Sequence, residues 1–176
     1  PREQGFAAVE FYTQLKTVPR WNHWMTPVLF LLFALAGGAM LAPLRWPAVV
    51  LLAALGLALW WNFRDGDGRL AARVQTAGTA TGLDRIGEVR LFAPPHTGPN
   101  YVTKEMVHVV GRKHAAKLRV IALACASVIP ALLIAAFPAG LSVALPATAI
   151  HLAGAFAARW LFFAEAEHVV GLYDGR

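Results

Sequence analysis

The sequence has 176 residues, of which 57% are apolar and 15% charged, with a positive mean hydropathy and a formal net charge of +6. Charge near about 25% is usual in soluble domains, so this composition excludes an ordinary water-soluble fold and points to an integral membrane chain. The basic excess comes with no nucleic-acid fingerprint, so no nucleic-acid partner is expected. The single cysteine, Cys125, lies inside an apolar run and excludes a disulfide framework or a cysteine cluster for zinc or iron-sulfur binding.

The opening PREQGFAAVEFY has no initiator methionine and is neither a secretory signal nor a transit peptide, so the chain is expected to begin mid-protein. Four apolar runs follow: Met25 to Ala42, Pro47 to Phe63, Val120 to Phe137, and Leu141 to about Ala164. Each suits a hydrocarbon layer of about 30 Å, which takes roughly 17–25 helical residues. The joining segments PLRW and PAG are short enough to force antiparallel pairing. The expected fold is therefore all-α, a polytopic membrane bundle of four transmembrane helices in two antiparallel hairpins.

Residues 1–24 lead into the first hairpin, 25–63. A polar segment, 64–119, connects it to the second hairpin and tail, 120–176. The first half of the polar segment, with LFAPPHTGPNY, reads as an irregular loop. Its second half, KEMVHVVGRKHAAKLR, reads as a helix from Thr103, with Thr103 as cap and Glu105 in the first turn. Fourteen of the sixteen lysines and arginines lie before, between or after the hairpins on one side, which the positive-inside rule makes cytoplasmic. Small residues recur every fourth position at Ala34, Gly38 and Ala42 and at Ala149, Ala153 and Ala157, a spacing that predicts close helix contact. Pro130 removes a backbone donor and predicts a kink in the third span.

The last span carries unusual charge. At 100° per residue, His151, Ala155, Ala158, Phe162 and Glu165 share a protein-facing stripe, opposite Phe156, Trp160, Phe163 and Glu167. Glu165 is thus a functional candidate and Glu167 an interfacial residue. Arg159, about 7.5 Å inside the apolar boundary by helical rise, has three readings: a functional group, a snorkelling cation, or half of a structural ion pair. His151 is either a neutral histidine hydrogen-bonded in the bundle or a ligand or proton relay. A membrane b-type haem needs two histidines on facing helices at bilayer depth, and only His151 qualifies, so no haem is expected.

Several separated runs resemble one family. FYTQLKTVPRWNHWMTPVLFLLFALAGGAML, TGLDRIGEVRLFAPPHTGPNYVTKEM, RKHAAKLRVIAL and HLAGAFAARWLFFAEAEHVVGLY are similar, in order and over nearly the whole chain, to the membrane anchor subunit of the dimethyl sulfoxide reductase family of molybdoenzymes. Members are roughly twice this long with about eight membrane helices. The resemblance therefore implies a C-terminal half, with residues 1–24 as the end of a preceding membrane helix and a junction. It implies a non-catalytic anchor in the bacterial cytoplasmic membrane that holds an iron-sulfur electron-transfer subunit and a molybdopterin catalytic subunit. The anchor exchanges electrons with quinone or menaquinol in anaerobic electron transport, and the iron-sulfur clusters and molybdopterin stay on the partners. The family's quinol-site histidine and glutamate belong to the N-terminal half and match no position here. Arg159 matches the arginine of the family's last helix, while a glutamate often near it is alanine in AGAFAARW.

On this reading Glu165, Arg159 and His151 are candidates for a quinone pocket or proton route. Arg112, Lys113, Lys117 and Arg119 are candidates either for docking the iron-sulfur partner or for pairing with anionic lipid. Two alternatives stand beside it: the anchor of a cytoplasm-facing, sulfite dehydrogenase-like complex that reduces quinone, and a fragment of a small-solute transporter.

Overall fold

The computed structural model describes residues 11–72, 77–90, 92–93, 112–138 and 140–169. All regular structure among them is helical. Four long helices dominate: α1 (Met25–Leu41), α2 (Arg45–Gly66), α3 (Ala115–Ala136) and α4 (Leu141–Ala164). Of these, α2, α3 and α4 are long and apolar enough to cross a membrane, and α1, at 17 residues, is a shorter apolar helix. This architecture supports a multi-pass membrane protein.

The outside of the bundle agrees with a lipid solvent. Leu35, Val50, Leu57, Leu132 and Leu145 all point outward, an arrangement that water would penalise over so broad a surface. Exposed tryptophans mark the ends: Trp24, Trp60, Trp61 and Trp160 at one, Trp46 at the other. Amphipathic indoles favour the headgroup level on both sides of a bilayer.

Inside, two apolar layers stack along the bundle. One joins Ala36, Ala39 and Met40 of α1 to Ala48 and Leu52 of α2, Ile134 of α3 and Ala147 of α4. The other joins Leu29, Leu32 and Phe33 of α1 to Leu59 and Phe63 of α2, Ala122 of α3 and Leu161 of α4. The end of α1 thus meets the start of α2 and the reverse, so the two run antiparallel, as do α3 and α4.

The residues that make the contacts differ from the small-residue spacing expected. Ala34, Gly38, Ala42, Ala149 and Ala153 face outward. The packed face of α1 lies along Ala36, Ala39 and Met40, and that of α4 along Ala144, Ala147, His151, Gly154 and Leu161. The second set steps by three, four, three and seven residues, the register of a helix seam.

At Pro130 the expected kink takes a specific form. The turn just before it, Ala124–Val128, is a π turn within α3. Proline offers no N–H to the carbonyl four residues back, that of Ala126. The imidazole of His151 donates to that carbonyl from Nδ1 at 2.6 Å, and Ser127 Oγ donates to Leu52 O at 2.7 Å. Two facing glycines admit the wide turn: a Cβ on Gly154 would run into the Ala126 backbone, and one on Gly56 into the Ser127 hydroxyl.

The polar segment after α2 begins three residues later than expected, because α2 continues to Gly66. Short turns follow at Arg69–Ala72, Ala77–Thr81 and Leu83–Arg85. Of the helix expected from Thr103, residues 103–111 lie outside the described residues, whereas Ala115 to Arg119 form the first turns of α3.

Candidate functional site

The start of α1, the end of α2, the start of α3 and the end of α4 meet at the basic end of the bundle, where four charged side chains close a ring. Glu165, first residue past α4 and 8% exposed, receives Arg20 Nη2 at 2.5 Å and Arg119 Nε at 2.6 Å. Arg119 reaches on to Asp67 with both terminal nitrogens, Nη1 lying 2.8 Å from Oδ2. Arg20 Nη1 completes the circuit to Asp67 at 3.4 Å. Alternating charges with a two-pronged arginine-carboxylate contact make each ion the counterion of two others. Hydrogen bonding from Arg119 holds the Asp67 carboxyl below its ordinary pKa.

A second set of bonds, beside this ring, ties the residue Arg112 just before α3 to the end of α4. Arg112 donates from Nη1 to Glu167 at 2.7 Å and, from its other nitrogens, to the carbonyls of Ala164 and Ala166 at 3.2 Å. It caps the carboxyl end of α4, where a cation also opposes the helix dipole. Arg45 does the same at the opposite end of the bundle, donating to Ala135 O at 2.5 Å.

Beneath the ring, between α1, α2 and α4, lies a cavity of about 320 Å³. Its walls are mainly apolar, from Leu29, Phe30, Phe33, Leu59 and Phe162, and its polar groups are Arg20, Thr26, Asn62, Arg159 and Glu165. Above the ring, a polar crevice of about 210 Å³ is lined by Asp67, Arg112, Arg119 and Glu167. Arg20 and Glu165 line both, so this one ion pair is the partition between an apolar chamber and a charged one.

Arg159 does not snorkel. Its guanidinium carbon sits 4.6–5.0 Å from the ring centroids of Tyr12, Phe30, Phe162 and Phe163. The segment before α1 folds over the end of α4 to complete this box, with Trp21 stacked on Phe162 at 5.2 Å and its Nε1 donating to Phe162 O at 2.8 Å. The same fold-back covers Phe163, expected to face lipid or a partner subunit, with Tyr12 and Trp21. Aromatic faces replace part of the lost hydration of the cation. They accept no conventional hydrogen bond, and among the described residues Nη1 of Arg159 is buried without such a partner.

Of the residues singled out from sequence, Arg159 and Glu165 come together on the cavity wall. His151 is buried against α3 and Phe33 and is not among the cavity-lining residues. Arg112 and Arg119 turn inward to bind carboxylates of the same chain, whereas Lys113 and Lys117 remain exposed at the start of α3. The sequence reading passed over Arg20, Asp67, Tyr12 and Phe30. One signal pointed at Arg20: an anion at the buried end of α4 requires cations, and residues flanking the other helices at that end can reach it.

The cavity has the general make-up of a small-molecule pocket. The volume falls within the range of about 300–1,000 Å³ usual for small-molecule pockets, with few polar groups on an apolar lining. Among the described residues no group of three or more histidines, cysteines or carboxylates is placed to hold a metal ion. Comparisons with protein-family models, curated proteins and solved structures return no match to this chain.

Proposed function

We propose that this chain is the C-terminal half of a membrane anchor that interacts with quinol or quinone, in a molybdopterin oxidoreductase complex like that of dimethyl sulfoxide reductase. On this reading all four long helices cross the bacterial cytoplasmic membrane as two antiparallel hairpins, with the ionic ring at the cytoplasmic face. The observation that carries the reading is the apolar cavity with Arg159 among its lining residues and the Arg20–Glu165 partition above it.

The quinone ring supplies two-electron, two-proton redox chemistry when bound. Arg159 positions a ring oxygen by donating to it, and the aromatic box holds the guanidinium in place for that bond. Phe30, Phe33 and Phe162 keep water from the ring. Above the partition, the exposed Lys113 and Lys117 offer positive charge to an acidic surface of an iron-sulfur subunit, which carries electrons to or from a molybdopterin subunit. The concentration of lysine and arginine at this end also favours a second reading, a cytoplasm-facing complex like sulfite dehydrogenase that delivers electrons into quinone.

The test is to extract the intact gene product with a mild detergent through an affinity tag. The reading predicts molybdenum and iron in the eluate, on two further polypeptides. A solitary, metal-free protein recovered from cells that make molybdoenzymes refutes it.

A further inference from the structure

We propose that the cavity is loaded sideways from the bilayer, through a portal on α4 framed by Leu152 and Phe156, and that its ligand keeps an apolar tail in that portal while its ring reaches Arg159. The inference deepens the quinone reading and rests on it. Among the described lining residues, only two are exposed, Leu152 at 52% and Phe156 at 76%, and both are apolar. They lie twelve and eight residues before the end of α4, about 18 and 12 Å along the axis, at the depth of acyl chains rather than headgroups. On the water side, by contrast, Arg20 and Glu165 close the chamber with a 2.5 Å ion pair. A ligand arriving from water would have to break that pair, whereas one dissolved in the membrane meets only hydrocarbon.

The inner end selects the head. Arg159 brings a cationic donor to the lining, and Glu165 lines the same cavity. A neutral ring carbonyl satisfies the donor without bringing a further buried charge toward that carboxylate, while a phosphate headgroup brings one. A ring with carbonyl oxygens and one long tail, the chemistry of a lipid quinone, therefore fits both ends at once. A two-tailed anionic lipid fits neither.

The experiment uses the full protein in phosphatidylcholine nanodiscs. The probes are a long-tailed naphthoquinone and the tailless 1,4-naphthoquinone, with equilibrium binding measured for each. In Leu152→Cys, the labelling rate by a membrane-partitioning maleimide is followed at that residue by mass spectrometry. Saturating tailed quinone should slow labelling at least fivefold, the tailless ring should leave it unchanged, and Leu57→Cys, exposed on α2 away from the portal, should be indifferent to both. Phe156→Cys gives the same readout independently should Leu152→Cys not assemble. If both quinones bind and the tail protects neither portal cysteine, sideways loading is overturned while the quinone reading stands. Failure of the parent protein to bind either quinone overturns the reading and this inference together.

Discussion

Replacing Glu165 with glutamine keeps the shape of the side chain and removes only its charge, so it isolates the ionic ring. Removing one partner of a buried ion pair typically costs about 3–5 kcal/mol. Glu165 is 8% exposed and serves two arginines, at 2.5 and 2.6 Å, which places it in that class. The cost is reduced because Asp67 still holds Arg119 at 2.8 Å and Arg20 at 3.4 Å. The amide oxygen also continues to accept one bond. The remaining loss is that of charge-assisted hydrogen bonding, about 2–3 kcal/mol, or roughly 5–10 °C in melting temperature for a chain of this size. Heating the detergent-solubilised protein and measuring the monodisperse fraction by size-exclusion chromatography reads this shift. Glu167→Gln is the internal comparison: its pair with Arg112 is more exposed and should cost under about 1 kcal/mol. Equal melting of the Glu165→Gln variant and the parent would mean that the ring contributes nothing to assembly.

Two further outcomes follow from the packing and the charges. Gly154→Ala should destabilise by about 1–3 kcal/mol, because its Cβ meets the Ala126 backbone at the π turn rather than a movable side chain; an unchanged melting temperature would show the helices are not in close contact there. Asp67 has a folded pKa depressed by Arg119, so its contribution is present above the unfolded value of about 3.9 and is lost as pH falls through the folded value. Below about pH 4 the parent should therefore lose stability more steeply than Asp67→Asn, as read by thermal melting across pH.

The helices were legible in the sequence because each is a long apolar run, and length and composition suffice to mark them. The face each helix buries was less so. Small residues occur on both sides of α1 and α4, and a spacing of four matches Ala34, Gly38 and Ala42 as readily as it misses the buried Ala36, Ala39 and Met40. Glu165 and Arg159 stood out in the sequence as charges at the end of an apolar helix. Their surroundings did not, because they are assembled from afar: Arg20 and Arg119 reach Glu165 from 145 and 46 positions away along the chain, and Arg159 is met by Tyr12 from before the first long helix and by Phe30 from within it. The bond from His151 to Ala126 likewise answers a carbonyl that Pro130 leaves without its usual donor, a need visible in the sequence only once the facing helix is known.

The central claim is that a lipid quinone binds in the cavity with Arg159 as its donor, and equilibrium binding of a long-tailed naphthoquinone to the full protein and to Arg159→Leu measures it most directly. Loss of a hydrogen bond from a charged donor is worth about 1.5–3 kcal/mol, so the variant should bind roughly 10- to 100-fold more weakly while remaining monodisperse. Equal affinity in the two proteins, or no saturable binding to the parent, would contradict the account.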